Sequence, residues 1–549
     1  SHSKCRTHGS METLELPANI GILERGPAGA TIHAHSAGSA ISRSVFSDIP
    51  ALQTLFSVDG RILACVHNSG VSVYDAKSFV PVLQIHTPGT VAVSFSTTGR
   101  FLCVLQKASN LGAGKEKNLT VWEVSSGAIA YDCFQKAFSK ADWPTIQFSA
   151  DDGIACRAVS NEVHLFFPPH FTTHHVRLRV EQVAKCKLSP CHHPVIASFA
   201  PTNQKQPGKV SLYDVPSAGT QELVKQEPKV QKSIFRVQDI DFRWASDGSA
   251  VLIIASSDVD MTNQSYFGET NLHYARVDGR VNCKVSLDKE GAVHEASWSP
   301  NSDEFVVVYG VMPAKATIFS ALTCEPIYQL GSGPHNTVRW NPFGHMICLA
   351  GFGNLPGDLR FYDKKADGKY KLTGFARAAC SVTAEWSPDG RRLLTTTTSP
   401  RLNVDNGFKI WRYNGELLYH AERNKLYEAT WQPVAAGTYK SRPISPGTVR
   451  KEDGSGLKGT GDTSGPRKPP PYVPPHGSSG TGSFSLAHAP PEESKPGKYR
   501  TSRSTEPFPF TATSGPPGAT FADSKASKNA AKNAKKRAAA KAKKGMGAT

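Results

Sequence analysis

No run of eighteen apolar residues occurs in this 549-residue chain, so no segment qualifies as a membrane-spanning helix. Nor does any stretch before residue 440 space its apolar residues with a strong helical period, which excludes a helical body. Catalytic signatures are equally scarce. Gly112-Ala113-Gly114-Lys115 lacks both the leading Gly and the following Ser or Thr of a phosphate-binding loop, so P-loop nucleotide chemistry is not expected. A Gly-x-Ser-x-Gly elbow is absent, and with it the turn on which an α/β-hydrolase presents its serine. Apolar residues, at 39%, are few, while 46 Gly and 38 Pro are many. That balance reads as a folded part diluted by a disordered one.

Metal-site spacing is weak as well. Cys186, Cys191, His192 and His193, with His174 and His175 nearby, match no strong zinc pattern and read as strand and turn residues. Asp258, Asp260 and Glu269 sit at calcium-loop offsets, but Asn263 stands where the loop requires Gly, so an ordinary polar loop is expected. Eleven cysteines, an odd number, are scattered through strand-like runs such as Ile347-Cys348-Leu349. They read as reduced, buried small hydrophobes of a cytoplasmic protein, and the Asn-x-Ser/Thr matches at Asn118 and Asn263 carry little weight as glycan sites. Residues 1–10, basic and polar before Met11, lack the apolar centre of a signal peptide and read as a vector-derived remnant.

What the chain has in abundance is one hexapeptide. Trp386-Ser387-Pro388-Asp389-Gly390-Arg391 combines an aromatic with a tight turn, because Pro presets φ and Gly tolerates positive φ. Related strings start at Phe56, Phe95, Phe148, Leu188, Trp244, Trp298, Trp340 and Trp431. These nine anchors lie 39 to 56 residues apart, close to the period of four-stranded propeller blades. Between anchors run alternating strands such as Val71-Ser72-Val73-Tyr74 and Phe408-Lys409-Ile410-Trp411, read as strands with one buried face. The unit after Trp431 is incomplete, and strands expected near Asn19–Leu23 and Thr31–His35 have no inner strand of their own. Joining them in one composite blade closes the ring without a free edge; eight blades plus a stray hairpin is the alternative.

Charge is unevenly placed. From residue 445 onward there are 18 Lys/Arg against 7 Asp/Glu, and residues 1–444 hold 45 against 39. Lys528, Lys532, Lys535, Lys536, Arg537, Lys541, Lys543 and Lys544 form the densest cluster, in a stretch without acids. Such density suits phosphate contacts that release counterions, although a solubilising end is the simpler reading. A second patch lies in the body, where residues 360–412 carry eleven basic and five acidic side chains, Lys364, Lys365, Arg377, Arg391 and Arg392 among them. Solvated blade edges compete with a functional face there.

The chain therefore reads as an all-β, WD40-like nine-bladed β-propeller over residues 11–444, closed by N-terminal strands, followed by a disordered Pro/Gly/Ser-rich linker over 445–524 and a Lys/Ala-rich basic tail over 525–549. Three stretches carry a resemblance: Asp258 to Glu269, Tyr309-Gly310-Val311-Met312-Pro313-Ala314, and Trp340-Asn341-Pro342-Phe343-Gly344 with Gly351-Phe352-Gly353-Asn354-Leu355. They resemble segments of the eukaryotic translation initiation factor 2A family, over roughly residues 14–440. The large b subunit of initiation factor 3 has a related propeller, preceded by an RNA-recognition domain without counterpart here. The resemblance implies a cytoplasmic, non-enzymatic, cofactor-free monomer that binds the small (40S) ribosomal subunit, its rRNA and proteins, and promotes GTP-independent initiator methionyl-tRNA binding. Messenger RNA and other initiation factors are further implied partners, and no membrane is. Members of that family continue past the basic segment into a charged helical C-terminus, whereas this sequence ends at Thr549. The competing reading is a generic WD-repeat scaffold for protein partners.

Overall fold

Inner and outer strands differ in burial, and the difference shows how the sheets pack. In the computed structural model, all six residues of Glu304–Tyr309 are buried, while Pro81–His86 alternates exposed and covered positions. The alternation read as one buried face therefore holds for outermost strands and for innermost ones such as Asp239–Trp244, and not for third strands such as Gly70–Asp75. Second and third strands are covered on both faces, because each sheet is sandwiched between two others. The structure describes residues 20–442, apart from 35–41, 44–48, 108–116, 137, 173–174, 202–206, 217–222 and 258–268. The chain divides into units Ser1–Thr460 and Gly461–Thr549, and every described residue lies in the first.

Nine antiparallel sheets form, each a meander of four strands a to d from the innermost outward. Blade 1 runs Gln53–Phe56, Ile62–His67, Gly70–Asp75 and Pro81–His86. Blades 2 to 8 follow in chain order, running Thr90–Phe95 to Ile129–Cys133, Gln147–Phe148 to His175–Arg179, Lys185–Leu188 to Val230–Ile234, Asp239–Trp244 to Asn282–Lys284, Val293–Trp298 to Pro326–Gly333, Thr337–Trp340 to Tyr370–Arg377 and Thr383–Trp386 to Leu417–Glu422. Every one of the nine anchors ends an innermost strand. Apolar packing is divided the same way: nine buried clusters, one at each blade-to-blade interface, take the place of a single core. Phe305 and Val307 face blade 5, while Val306 and Val308 face blade 7.

Blade 9 is composite. Its innermost strand Glu428–Trp431 pairs with Gly21–Gly26, which pairs with Gly29–Ala34 and then Ser42–Arg43. The two N-terminal strands start closer together than the sequence spacing suggests, because Pro27-Ala28 closes them in a two-residue turn with Gly26 opposite Gly29. Blade 3 has a fifth strand, Leu223–Val224, parallel to its edge and supplied by the connection between the two outer strands of blade 4.

The hexapeptide's serine is a clamp. Ser57, Ser96, Ser149 and Ser387 are fully buried, and each accepts a backbone N–H five residues on, as from Arg392 to Ser387 Oγ at 3.0 Å. Gly390 has φ 66°, and a Cβ there would meet the Phe343 ring at 2.9 Å, so the turn of one blade rests on its neighbour's. That combination admits only glycine.

Side chains stitch the innermost strands together in both directions. The indole N–H groups of Trp244, Trp298, Trp340, Trp386 and Trp431 donate to the carbonyls of Lys187, Arg243, Ser297, Arg339 and Glu385, at 2.7 to 3.3 Å. Each acceptor immediately precedes the preceding blade's anchor. In the other direction Gln147, Lys187, Arg243 and Arg339 donate to the carbonyls of Cys186, Phe242, Ala296 and Ala384, two residues before the next anchor. Blades 1 to 3 have Phe anchors without an N–H donor, and there Trp143 reaches Val93 O at 3.1 Å and Gln53 reaches Val91 O at 3.0 Å.

Ion pairs seal the junction of chain ends. Glu24 accepts from Arg423 and from His33, and Glu428 from Arg25 and from Thr54 at 2.7 Å. Burial by itself would raise the Glu24 pKa, but hydrogen bonds from His33 and Arg423 hold it down to about 2.

Trp386→Phe keeps an aromatic side chain but removes the indole donor to the Arg339 carbonyl, so equilibrium denaturation should show a loss of about 1 kcal/mol for the hydrogen bond, with the cost of the space left by the smaller ring added to it. A carboxyl depressed in the folded state stabilises above its unfolded pKa and loses that contribution as pH falls. Glu24→Gln should therefore destabilise the fold by about 2 kcal/mol near neutrality, with the difference disappearing between pH 4.5 and about 2.

Candidate nucleic-acid interface

A four-stranded meander places its turns on two faces. Because each anchor ends strand a, the a–b and c–d turns share the anchor face, and the b–c loops and blade-to-blade connections share the opposite, crossover face. Lys364 ends the third strand of blade 7 and Lys365 opens the c–d turn after it; Arg391 lies in the a–b turn of blade 8 and Arg392 opens the strand that follows. These four lie on the same, anchor face. Arg377 ends the last strand of blade 7 and so sits on the crossover face, with Nε 2.9 Å from Asp358.

Three of the four are held by carboxylates. Lys364 Nζ lies 2.7 Å from Glu304 of blade 6, Lys365 lies 2.5 Å from Asp363, and Arg392 lies 2.9 Å from Asp389. The Tyr370 hydroxyl also donates to Glu304, at 2.6 Å; burial first and that carboxylate second push the phenol far up. Burial pushes the Arg392 pKa down against the pull of Asp389, so this guanidinium is part of the turn's framework. Arg391 is held by a ring: its guanidinium stands 4.8 Å over Tyr413, an arrangement that leaves a cation at the surface. Lys369 and Lys371, in and just after the same blade 7 turn, are exposed.

Beyond blade 9 the chain stays on this face. Trp431 ends its strand at the anchor end, and residues 432–442 turn back so that Tyr439 packs against the cluster between blades 8 and 9. Its phenol pKa is raised by burial and by the Asp389 charge and lowered by Arg392, which places it at the blade 8 turn. Lys440 and Arg442 follow, both exposed. They fall outside the basic stretch 360–412, and their only local signal in the sequence is Tyr439, a lone aromatic in a polar segment. Lys528, Lys532, Lys535, Lys536, Arg537, Lys541, Lys543 and Lys544 lie outside the described residues.

The other motifs disperse. Cys186 is buried in a strand, the Cys191 thiol donates to His193 O at 3.2 Å, and His192 faces Asp151 at 4.0 Å. Among the described residues no three His, Cys, Asp or Glu side chains converge as a metal site would need; His174 lies outside them. Residues 112–115 and 258–268 also lie outside, and Glu269 begins a blade 5 strand, accepting from Asn271 at 2.8 Å. Ten described cysteines form no disulfide and six of them are buried.

Residues 232–429, blades 5 to 8 with their flanks, match the family described as Eukaryotic translation initiation factor eIF2A. Eukaryotic translation initiation factor 2A of Schizosaccharomyces pombe is 33% identical over 399 residues, covering 72% of this chain and 66% of that protein. Its counterpart of the same name in Dictyostelium discoideum is 31% identical, covering 69% and 60%. The chain thus spans about two thirds or less of these relatives' length. A crystal structure described as that of the eukaryotic initiation factor superposes with a TM-score of 0.67 at 29% identity, over 76% of this chain and 99% of that one.

The two neighbouring arginines separate by experiment. Arg392→Met leaves Asp389 without its cation and should cost roughly 2–3 kcal/mol in thermal or urea unfolding. Arg391→Gln gives up the stacking on Tyr413 and should stay within about 1 kcal/mol of the parent.

Proposed function

The chain belongs to the eukaryotic translation initiation factor 2A family, and on that premise we propose that it is a non-enzymatic initiation factor acting on the small ribosomal subunit. In this reading the propeller docks through its anchor face, at Arg391 with Lys364 and Lys365, Arg392 holds the turn that presents them, and the basic residues of 525–544 hold RNA phosphates. Arg377, on the other face, contributes separately. Initiator methionyl-tRNA binding is promoted without GTP, by holding RNA rather than by chemistry.

One observation carries this reading. The chain leaves the ring on the same face as the basic sector, passing the blade 8 turn at Tyr439 before Lys440 and Arg442. The basic residues of 525–544 follow in sequence from that exit. Phosphate binding on a folded face and on a tethered segment reinforce each other through effective concentration.

Binding to purified 40S subunits, with and without residues 445–549 and across a salt series, tests the proposal. Removing the segment should weaken binding at low salt and flatten the dependence of log K on log salt, by about 0.7 for each phosphate no longer neutralised. Unchanged binding on truncation would sink the tether role. If the full chain shows no 40S affinity at low salt, the protein-scaffold reading replaces this one.

A further inference from the structure

The crossover face carries a feature that the basic sector does not explain. Phe138 and Phe235 are 46% and 77% exposed, and both lie in connections between blades. Phe235 is forced outward: Ile234 and Val237 on either side are buried in the cluster between blades 4 and 5, and Arg236 takes φ 58°. Phe138 is steadied by Trp143, whose ring meets it edge-on at 6.0 Å and whose indole is tied to Val93 O.

The two connections, from blade 2 to 3 and from blade 4 to 5, are buckled together. Lys185 Nζ lies 2.7 Å from Asp142 and 2.6 Å from Asp239, one aspartate in the first connection and one just after the second. Each phenylalanine precedes one of these aspartates by four residues. Lys185 thus offsets half the charge of these two acids, and the exposed cations Lys136, Lys140 and Arg236 outnumber the one negative charge that is left. Exposed aromatic rings with cations close in sequence, and the two nearby acids drawn to one lysine, suit a strand of unpaired bases, each stacking on a ring with its phosphate near a cation.

We propose that Phe138 and Phe235, with Lys136, Lys140 and Arg236, form a stacking platform for single-stranded RNA on the crossover face. It deepens the RNA-binding reading above, on which it rests, and adds an RNA-binding element on the face opposite the tail's exit.

The test uses the full chain and a labelled unstructured oligoadenylate of about 12 nucleotides, a length that several stacked bases occupy. Phe138→Ala/Phe235→Ala should lower affinity about tenfold or more with the salt slope unchanged, because stacking releases no counterions. Phe235→Trp should retain parental affinity, which guards against misfolding as the cause. Lys136→Gln/Lys140→Gln/Arg236→Gln should lower the slope by about 2, and duplex RNA should not respond to loss of the rings. If the alanine variant binds oligoadenylate as the parent does, the platform is wrong while 40S binding stands. If the full chain binds neither oligoadenylate nor 40S subunits, the underlying RNA reading fails with it.

Discussion

Backbone carbonyls near the ends of the innermost strands of blades 2 and 4 to 8 are met by side chains of adjoining blades, and the ring depends on this exchange. Tryptophan indoles reach back to the residue before the preceding anchor, while Gln, Lys and Arg side chains reach forward to the residue two before the next. Buried carbonyls without donors are costly, so a blade standing alone would be polar where it needs to be dry. Blade 9 shows the constraint at its sharpest: Trp431 serves blade 8, Glu428 receives Thr54 of blade 1, and its second and third strands come from the far end of the chain.

Apolar packing obeys the same logic. With nine interfacial clusters in place of one core, no sheet is a folding unit by itself, and the middle strands are apolar on both faces. The arrangement frees the turns, which need only their serine clamp and a glycine, to vary in charge. Blade 8 uses that freedom for Arg391, stacked on Tyr413, beside Arg392, which is paired inward with Asp389.

Counting charges along residues 360–412 overstates the patch, since Glu304, Asp363 and Asp389 lie against Lys364, Lys365 and Arg392. Glu304 belongs to blade 6, outside that stretch. What remains at the surface of the anchor face is Arg391 with lysines of the blade 7 turn, joined by Lys440 and Arg442 where the chain leaves the ring. The crossover face has its own character, aromatic as well as basic, at the connections that carry Phe138 and Phe235.

The sequence by itself determined the all-β class and the repeat: nine recurrences of one turn, eight with an aromatic and one with Leu188 at the same place, at a period near that of a four-stranded meander. It left nine blades and eight blades plus a hairpin both open, and the pairing of Glu428–Trp431 with Gly21–Gly26 decided for nine. The hexapeptide around Trp386 is explained by a turn and an indole donor. Only the tertiary structure decided which charges are paired inward, which face each basic residue occupies, and that Asp142 and Asp239 share Lys185. Those two aspartates stand about a hundred residues apart, brought together by the curvature of the ring. Local periodicity records the steric needs of a turn or strand, whereas ion pairing and the facing of surfaces depend on how blades are stacked, which no single repeat encodes.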